Sequence, residues 1–251
     1  MNLADYQTLN DNVLSFTRDQ ASKFAKQVAG DFNPLHDIDS RRFCVPGDLL
    51  FVSLLDRYGL AGVTSVEFAG MVNDGVSFEL PETIGNSFDL VGNDGGNFLS
   101  FVNEGKRIAS NVCVRALAQR YVEFSGLAFP DILVPLMESR DVMINPTRPL
   151  VIYKSMTIEL TSDGIDFFSS TDASDPSSSG ILDTLLLELT DSTLEVAGKK
   201  GEVELKFVIK SNDNLLGQGV KEMILGGLRP FEKSTIDDIV LQYNEWKKTK
   251  R

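Results

Sequence analysis

Pro46-Gly47-Asp48-Leu49-Leu50-Phe51-Val52-Ser53-Leu54-Leu55-Asp56-Arg57-Tyr58-Gly59 reads as one helix, opened by Pro46-Gly47-Asp48 and stopped by Gly59. Leu49, Leu50, Phe51, Val52, Leu54 and Leu55 make it apolar nearly all round. Such a helix has no face to give to solvent, so it must be buried. Strands are predicted after it, over residues 63–72, 76–80, 86–91, 97–103 and 107–121. The turn signals Asn73-Asp74-Gly75, Asn93-Asp94-Gly95-Gly96 and Glu104-Gly105 separate them. A buried helix followed by a run of antiparallel strands implies an α+β unit whose curved sheet wraps the helix.

Before this helix lies a second one with a different character. Val13-Leu14-Ser15-Phe16 reads as a short strand, and Thr17 opens a helix with Gln20 as its capping-box partner. Ala21, Phe24, Ala25 and Val28 recur at the spacing of one buried face, and Gly30 ends it. The loop Gly30-Asp31-Phe32-Asn33-Pro34-Leu35-His36 follows and holds the only histidine of the 251 residues. Pro34 biases Asn33 toward an extended backbone. A carboxylate, an amide and an imidazole are therefore gathered on one short loop. Asp31 and His36 in one pocket can hold a water and move its proton, because imidazole titrates near neutrality while the carboxylate stays charged. The plainer reading is ordinary loop chemistry, an Asx turn stiffened by a proline. Arg41-Arg42 ends the loop. These are the nearest basic residues to the candidate site, and read either as a solvated loop end or as a contact for a phosphate.

Composition narrows the classes. The length suits one large domain or two smaller ones. A formal charge of -12 and a pI near 4.6 make nucleic acid and anionic membranes poor partners. Cys44 and Cys113 are too few for a disulfide framework, and without a histidine pair they exclude a zinc site of the usual kind. A serine nucleophile has only His36 to serve it, and no G-x-S-x-G elbow is present. Met1-Asn2-Leu3-Ala4-Asp5 shows no leader pattern and no apolar run is long enough to span a bilayer. A cytoplasmic location and no metal or other cofactor are expected.

The second half reads as a repeat of the plan of the first. Phe129 to Arg140 can be laid beside Val45 to Arg57 with one deletion, and Pro135 predicts a kinked or short helix there. Strands are predicted near 149–160, 163–169, 180–189, 201–211 and 215–225. Thr171 to Gly180 reads as a polar loop of small residues. Ser234 or Thr235 starts a terminal helix with Ile236, Ile239, Val240, Tyr243 and Trp246 on one face.

The string Gly30-Asp31-Phe32-Asn33-Pro34-Leu35-His36 resembles the G-D-x-N-P-x-H motif of the MaoC-like dehydratases, the (R)-specific enoyl-thioester hydratases, at every fixed position. The resemblance is specific over roughly residues 15–36. It implies a double hotdog: two curved antiparallel sheets, each wrapping a central helix, with a C-terminal helix added. The units are then 1–125, which carries the motif, and 126–251, which does not. It further implies a hydro-lyase acting on a 2-enoyl or 3-hydroxyacyl thioester of coenzyme A or acyl carrier protein, which is substrate and not cofactor. Asp31 and His36 match the pair that activates water, and Asn33 the residue that supports them. Gly47 matches the glycine whose backbone N–H meets the thioester oxygen. Pro46 stands where the family has a histidine, and the segment from His36 to Gly47 is shorter than the family's. Arg41, Arg42 and Asp48 are the remaining residues expected at the substrate. Thioester hydrolysis is the lesser enzymatic reading. A non-catalytic double hotdog that binds an acyl thioester or a partner is the alternative of a different class. A homodimer of such pseudo-dimers is compatible with either.

Overall fold

A computed structural model describes residues 1–126, 128–170 and 180–249. The polar stretch 171–179 read above as a loop lies outside the described residues. Twelve strands are described: β1 Thr8–Asn10, β2 Val13–Ser15, β3 Val63–Phe68, β4 Ser77–Glu79, β5 Ser87–Val91, β6 Asn97–Glu104, β7 Val142–Met143, β8 Val151–Leu160, β9 Leu185–Ala197, β10 Lys200–Ser211, β11 Asn214–Gly226 and β12 Arg229–Pro230. The helices are α1 Arg18–Lys23, α2 Gly47–Tyr58, α3 Val112–Gly126, α4 Ala128–Asp131, α5 Leu133–Ser139, α6 Ser162–Ser170, α7 Ile181–Thr184 and α8 Lys233–Thr249.

Seven strands form one antiparallel sheet in the order β5-β6-β3-β8-β11-β10-β9. The two halves of the chain meet where β3 pairs with β8, Val66 opposite Met156. The class is therefore mixed α+β, as expected, with a large antiparallel sheet. Cross-strand partners share a face. Phe101, Val66, Met156, Lys221 and Leu205 thus form one row across five strands. Four members are apolar and buried; the fifth is a lysine.

The helices α2 and α3 lie side by side on that face, with the rings of Phe51 and Tyr121 5.2 Å apart. Helix α2 is buried as its sequence demands: Asp48 through Leu55 are all buried. Helix α3 corrects the strand predicted at 107–121. A nearly continuous apolar run fits either a buried strand or a buried helix. Asn111 decides it, because its side-chain oxygen accepts from Val114 N–H at 3.0 Å and caps the first turn. Likewise 163–169 is helix α6, with Thr161 Oγ1 accepting from Gly164 N–H at 3.0 Å. The segment 180–189 splits into α7 and the start of β9. The kinked or short helix expected around Pro135 is the short helix α5, with the kink at Phe129 lying before it in α4. The helix that packs beside α2 is α3. The boundary placed at 125/126 falls in the last turn of α3.

Two glycines set the path of the chain beside the sheet. Gly30 ends the first helical segment in the left-handed region, φ 66°. Before it, the backbone widens into a π turn over Phe24–Ala29. Gly126, at the end of α3, meets that turn so closely that a Cβ there would stand 1.4 Å from the Ala29 carbonyl oxygen. Substituting Gly126→Ala must push the helix end off the turn, at a cost of about 3 kcal/mol. Thermal unfolding should show a clear drop in Tm for this variant. Gly85→Ala, whose added methyl meets nothing nearer than 4.0 Å, should leave Tm close to that of the native chain.

Candidate active site

The Gly30–His36 loop is built as its residues dictate. Asp31 Oδ1 accepts from Asn33 N–H at 2.8 Å, and Asn33 Oδ1 accepts from Leu35 N–H at 3.1 Å. These are Asx turns, and Pro34 begins a short 3-10 turn ending at His36. Asn33 Nδ2 donates to the Val151 carbonyl of β8 at 3.3 Å, which ties the loop to the sheet. His36 Nδ1 lies 2.7 Å from the Cys44 carbonyl oxygen, an acceptor only, so Nδ1 carries a proton and donates. Nε2 is thereby aimed at Asp31 Oδ2, 3.5 Å away.

The two groups shift each other's charge. Burial opposes ionisation of both and is the largest single influence on each. The hydrogen bond and charge of the partner, with a backbone hydrogen bond, outweigh it. His36 is held above the ordinary imidazole value and Asp31 below the ordinary carboxylate value. Each group thereby favours the charged form of the other.

Both line a cavity of about 210 Å³ that opens beside the start of α2. Asn33, Gly47 and Asp48 line it as well. Gly47 lets the wall pack tightly there, since a Cβ would press on Tyr153 and on Phe68 at 3.1 and 3.2 Å. Arg41 and Arg42 are not among the residues that line the cavity. Cys44 N–H donates to Leu35 O at 2.9 Å, closing the loop at its base and leaving the arginines on its outer turn. Asp48 is in the wall, but its carboxylate is engaged by the protein. Oδ1 accepts from Tyr121 Oη at 2.6 Å and from Lys221 Nζ at 3.2 Å, and Oδ2 accepts from Ser125 Oγ at 2.5 Å. Lys221 also donates to Ser125 Oγ, and Tyr121 Oη meets Tyr153 Oη. Burial pulls the Lys221 ammonium below its ordinary range, opposed by the charges of Asp48 and Asp31. Burial and the Asp48 charge push the Tyr153 phenol well above its own.

Tyr121, Ser125, Tyr153 and Lys221 were not read as site residues from sequence. For Lys221 a signal exists. It shares strand parity with Met223 and Leu225, so a lysine stands at an inward position of a predicted strand. For Tyr153 there is none. The pairing jumps from Glu222 opposite Ser155 to Met223 opposite Tyr153, and Lys154 is bulged out. Met156 and Ile158 face the core, so unbroken alternation would turn Lys154 inward. The bulge exchanges the two: Lys154 pairs with Glu202 and Glu222, and Tyr153 enters the cavity.

The far wall comes from α8. Ile239, Gln242, Tyr243 and Trp246 line the cavity. Tyr243 Oη donates to Gly30 O at 2.7 Å, and its ring packs edge-on to Phe32.

A family model described as "Protein of unknown function (DUF3581)" matches residues 1–234. The chain belongs to that family. The match to DUF3581 covers both polar clusters and ends in the first turn of α8, so the wall formed by Tyr243 and Trp246 lies beyond it. No curated protein matches the chain. Among solved structures, it is similar to an acyl-CoA thioesterase II from Mycobacterium marinum, with 10% identity, TM-score 0.40 and coverage of 92% of this chain and 98% of that one. It is similar to a conserved protein of unknown function with hot dog fold from Alicyclobacillus acidocaldarius, with 10% identity, TM-score 0.43 and coverage of 91% and 98%. An acyl-ACP thioesterase from Bacteroides thetaiotaomicron shows 10% identity and TM-score 0.35 over 73% of this chain and 92% of that one. At these scores the likenesses carry no argument.

Two measurements test the electrostatics. The His36 ring protons should titrate above the ordinary value of about 6.5, and Asp31→Asn should bring the transition down. A raised histidine value gives stability that is complete below the unfolded pKa and is lost as pH rises through the folded one. A lowered aspartate value gives stability that is lost as pH falls through the folded value. The stability gap between the native chain and Asp31→Asn should therefore narrow at both ends; a gap constant with pH contradicts the ion pair.

The second measurement is a mutant cycle in denaturant. Lys221→Met leaves Asp48 charged and buried, at a cost of about 3–5 kcal/mol, whereas Asp48→Asn with Lys221→Met should cost far less.

Proposed function

We propose that the chain acts on an acyl thioester as an enoyl-thioester hydratase or dehydratase, with Asp31 and His36 as its acid–base pair. The observation that supports this most is the orientation of His36. Its Nδ1–H is committed to the Cys44 carbonyl, so Nε2 faces Asp31 Oδ2 within the cavity. The complete G-D-x-N-P-x-H match lies on these same residues.

In hydration, a water between the two groups gives a proton to Asp31 as its oxygen attacks the β carbon. His36 Nε2–H delivers a proton to the α carbon. Dehydration is the reverse. Charge develops on the thioester oxygen, which needs a donor waiting for it. Gly47 N–H is the donor assigned to that task in this reading, since it lies at the first position of α2, whose N-cap, Pro46, has no capping side chain. Asn33 acts as a positioning residue through its bond to Val151. The double-hotdog reading, with units 1–125 and 126–251, belongs to this proposal. In it α2 lies against strands of the first unit, while α3, at that unit's end, reaches over to Phe207 in the second.

The assay is the loss of enone absorbance of a short 2-enoyl-CoA. Native chain should consume it, and His36→Ala or Asp31→Asn should lower kcat by about a hundredfold or more. Equal rates in native and His36→Ala chains would falsify the assignment. Release of free thiol in place of hydration would assign hydrolysis to the same cavity.

A further inference from the structure

The wall opposite Asp31 and His36 has no role in the chemistry above, yet it holds the most deeply buried charge of the described residues. Lys221 is 3% exposed and stands in a cross-strand row otherwise made of Phe101, Val66, Met156 and Leu205. A lysine in such a place costs stability compared with an apolar side chain.

Its surroundings hold it in place and aim it. An ammonium has three N–H bonds. One goes to Asp48 Oδ1 and one to Ser125 Oγ. Among the described residues no third oxygen accepts from it; the Tyr153 ring, 4.2 Å from Nζ, flanks it at the cavity wall. Asp48 is itself saturated by Tyr121, Ser125 and Lys221. Two helix ends favour the same arrangement: Asp48 lies in the first turn of α2, and Ser125 is in the last turn of α3. Helix dipoles favour an anion at the first place and a cation beside the second.

We propose that Lys221 is the electrophilic group of this cavity. Its remaining N–H hydrogen-bonds the carbonyl oxygen of a bound acyl thioester and holds the enolate charge that forms there, together with Gly47 N–H. The ligand class is an acyl thioester able to enolise at its α carbon. This assignment rests on the acyl-thioester reading above. It also answers a problem that reading contains: Asp48 places a negative charge beside the developing oxyanion, and Lys221 cancels it. Lys221 keeps all its protons throughout. Water supplies the hydroxyl, Asp31 takes one proton, and His36 gives one to carbon.

The test uses acetoacetyl-CoA, whose enolate absorbs in the near ultraviolet while its keto form does not. Trp246, the only tryptophan, lines the cavity, so its fluorescence reports occupancy independently of chemistry. The native chain at neutral pH should change its fluorescence and develop enolate absorbance. In Asp48→Asn with Lys221→Met, occupancy should persist while the enolate fraction falls at least about tenfold. Lys221→Arg, which keeps a cation but moves its donors, should lower the enolate fraction without loss of occupancy. The proposal is overturned if the native chain does not bind or binds only the keto form. It is equally overturned if both variants enolise the ligand as well as the native chain. Enolisation without turnover of any 2-enoyl thioester sinks the hydratase reading and leaves Lys221 as assigned. Turnover with unchanged enolisation in the variants does the reverse.

Discussion

The ion pair between Lys221 and Asp48 is the constraint on which the middle of the molecule depends. It joins residues 173 positions apart and draws three elements together: the first turn of α2, the last turn of α3 and the centre of β11. Neither charge is tolerable alone at that depth. Each therefore dictates where the other's backbone must run. The hydroxyls of Tyr121 and Ser125 complete the shell around the carboxylate, and both come from α3. Among the described residues no buried side-chain nitrogen or oxygen is left without a partner. Satisfaction of that kind permits two adjacent helices to lie over the sheet with a polar cluster between them.

The cavity follows from this arrangement. Where α2 begins, Gly47 lets Tyr153 and Phe68 pack close to the backbone, and all three line the cavity. The motif loop closes one side and α8 another, tied by the Tyr243 hydroxyl to the carbonyl of Gly30. The Asp31–His36 pair on a loop and the Asp48–Lys221 pair on rigid elements thus line one small, mainly apolar space. Lys221 is near enough for its charge to act on Asp31. In a low-dielectric space such coupling is strong, and a reacting group placed between the pairs meets a fixed field at no reorganisation cost.

Much of the local structure was legible from residue order. The Thr17–Gln20 capping box, the stop at Gly30, the buried character of α2 and the turns of the motif loop all follow from short-range rules, and all are present. Terminal helix α8 was legible for the same reason, with Ile236 and Tyr243 on its buried face. Helices α3 and α6 were misread because a dense apolar run, or a short amphipathic one, satisfies two periodicities at once. A single capping side chain, Asn111 or Thr161, chose between them.

The sequence by itself determined the chemistry of one wall: a carboxylate, an amide and the lone imidazole on a loop whose turns are set by neighbours two or three residues away. Local hydrogen bonds do not need the rest of the chain to form, so such a wall can be read from a string. Only the tertiary structure decided the other wall. Asp48, Ser125, Tyr153 and Lys221 come from four elements spread over most of the chain. Tyr153 faces inward only because the sheet register slips at Lys154. Register and helix packing are settled by the sum of many weak, non-local contacts, and no short stretch of sequence contains that sum. The loop therefore announces a carboxylate beside an imidazole, and the fold alone brings a buried lysine to the same cavity.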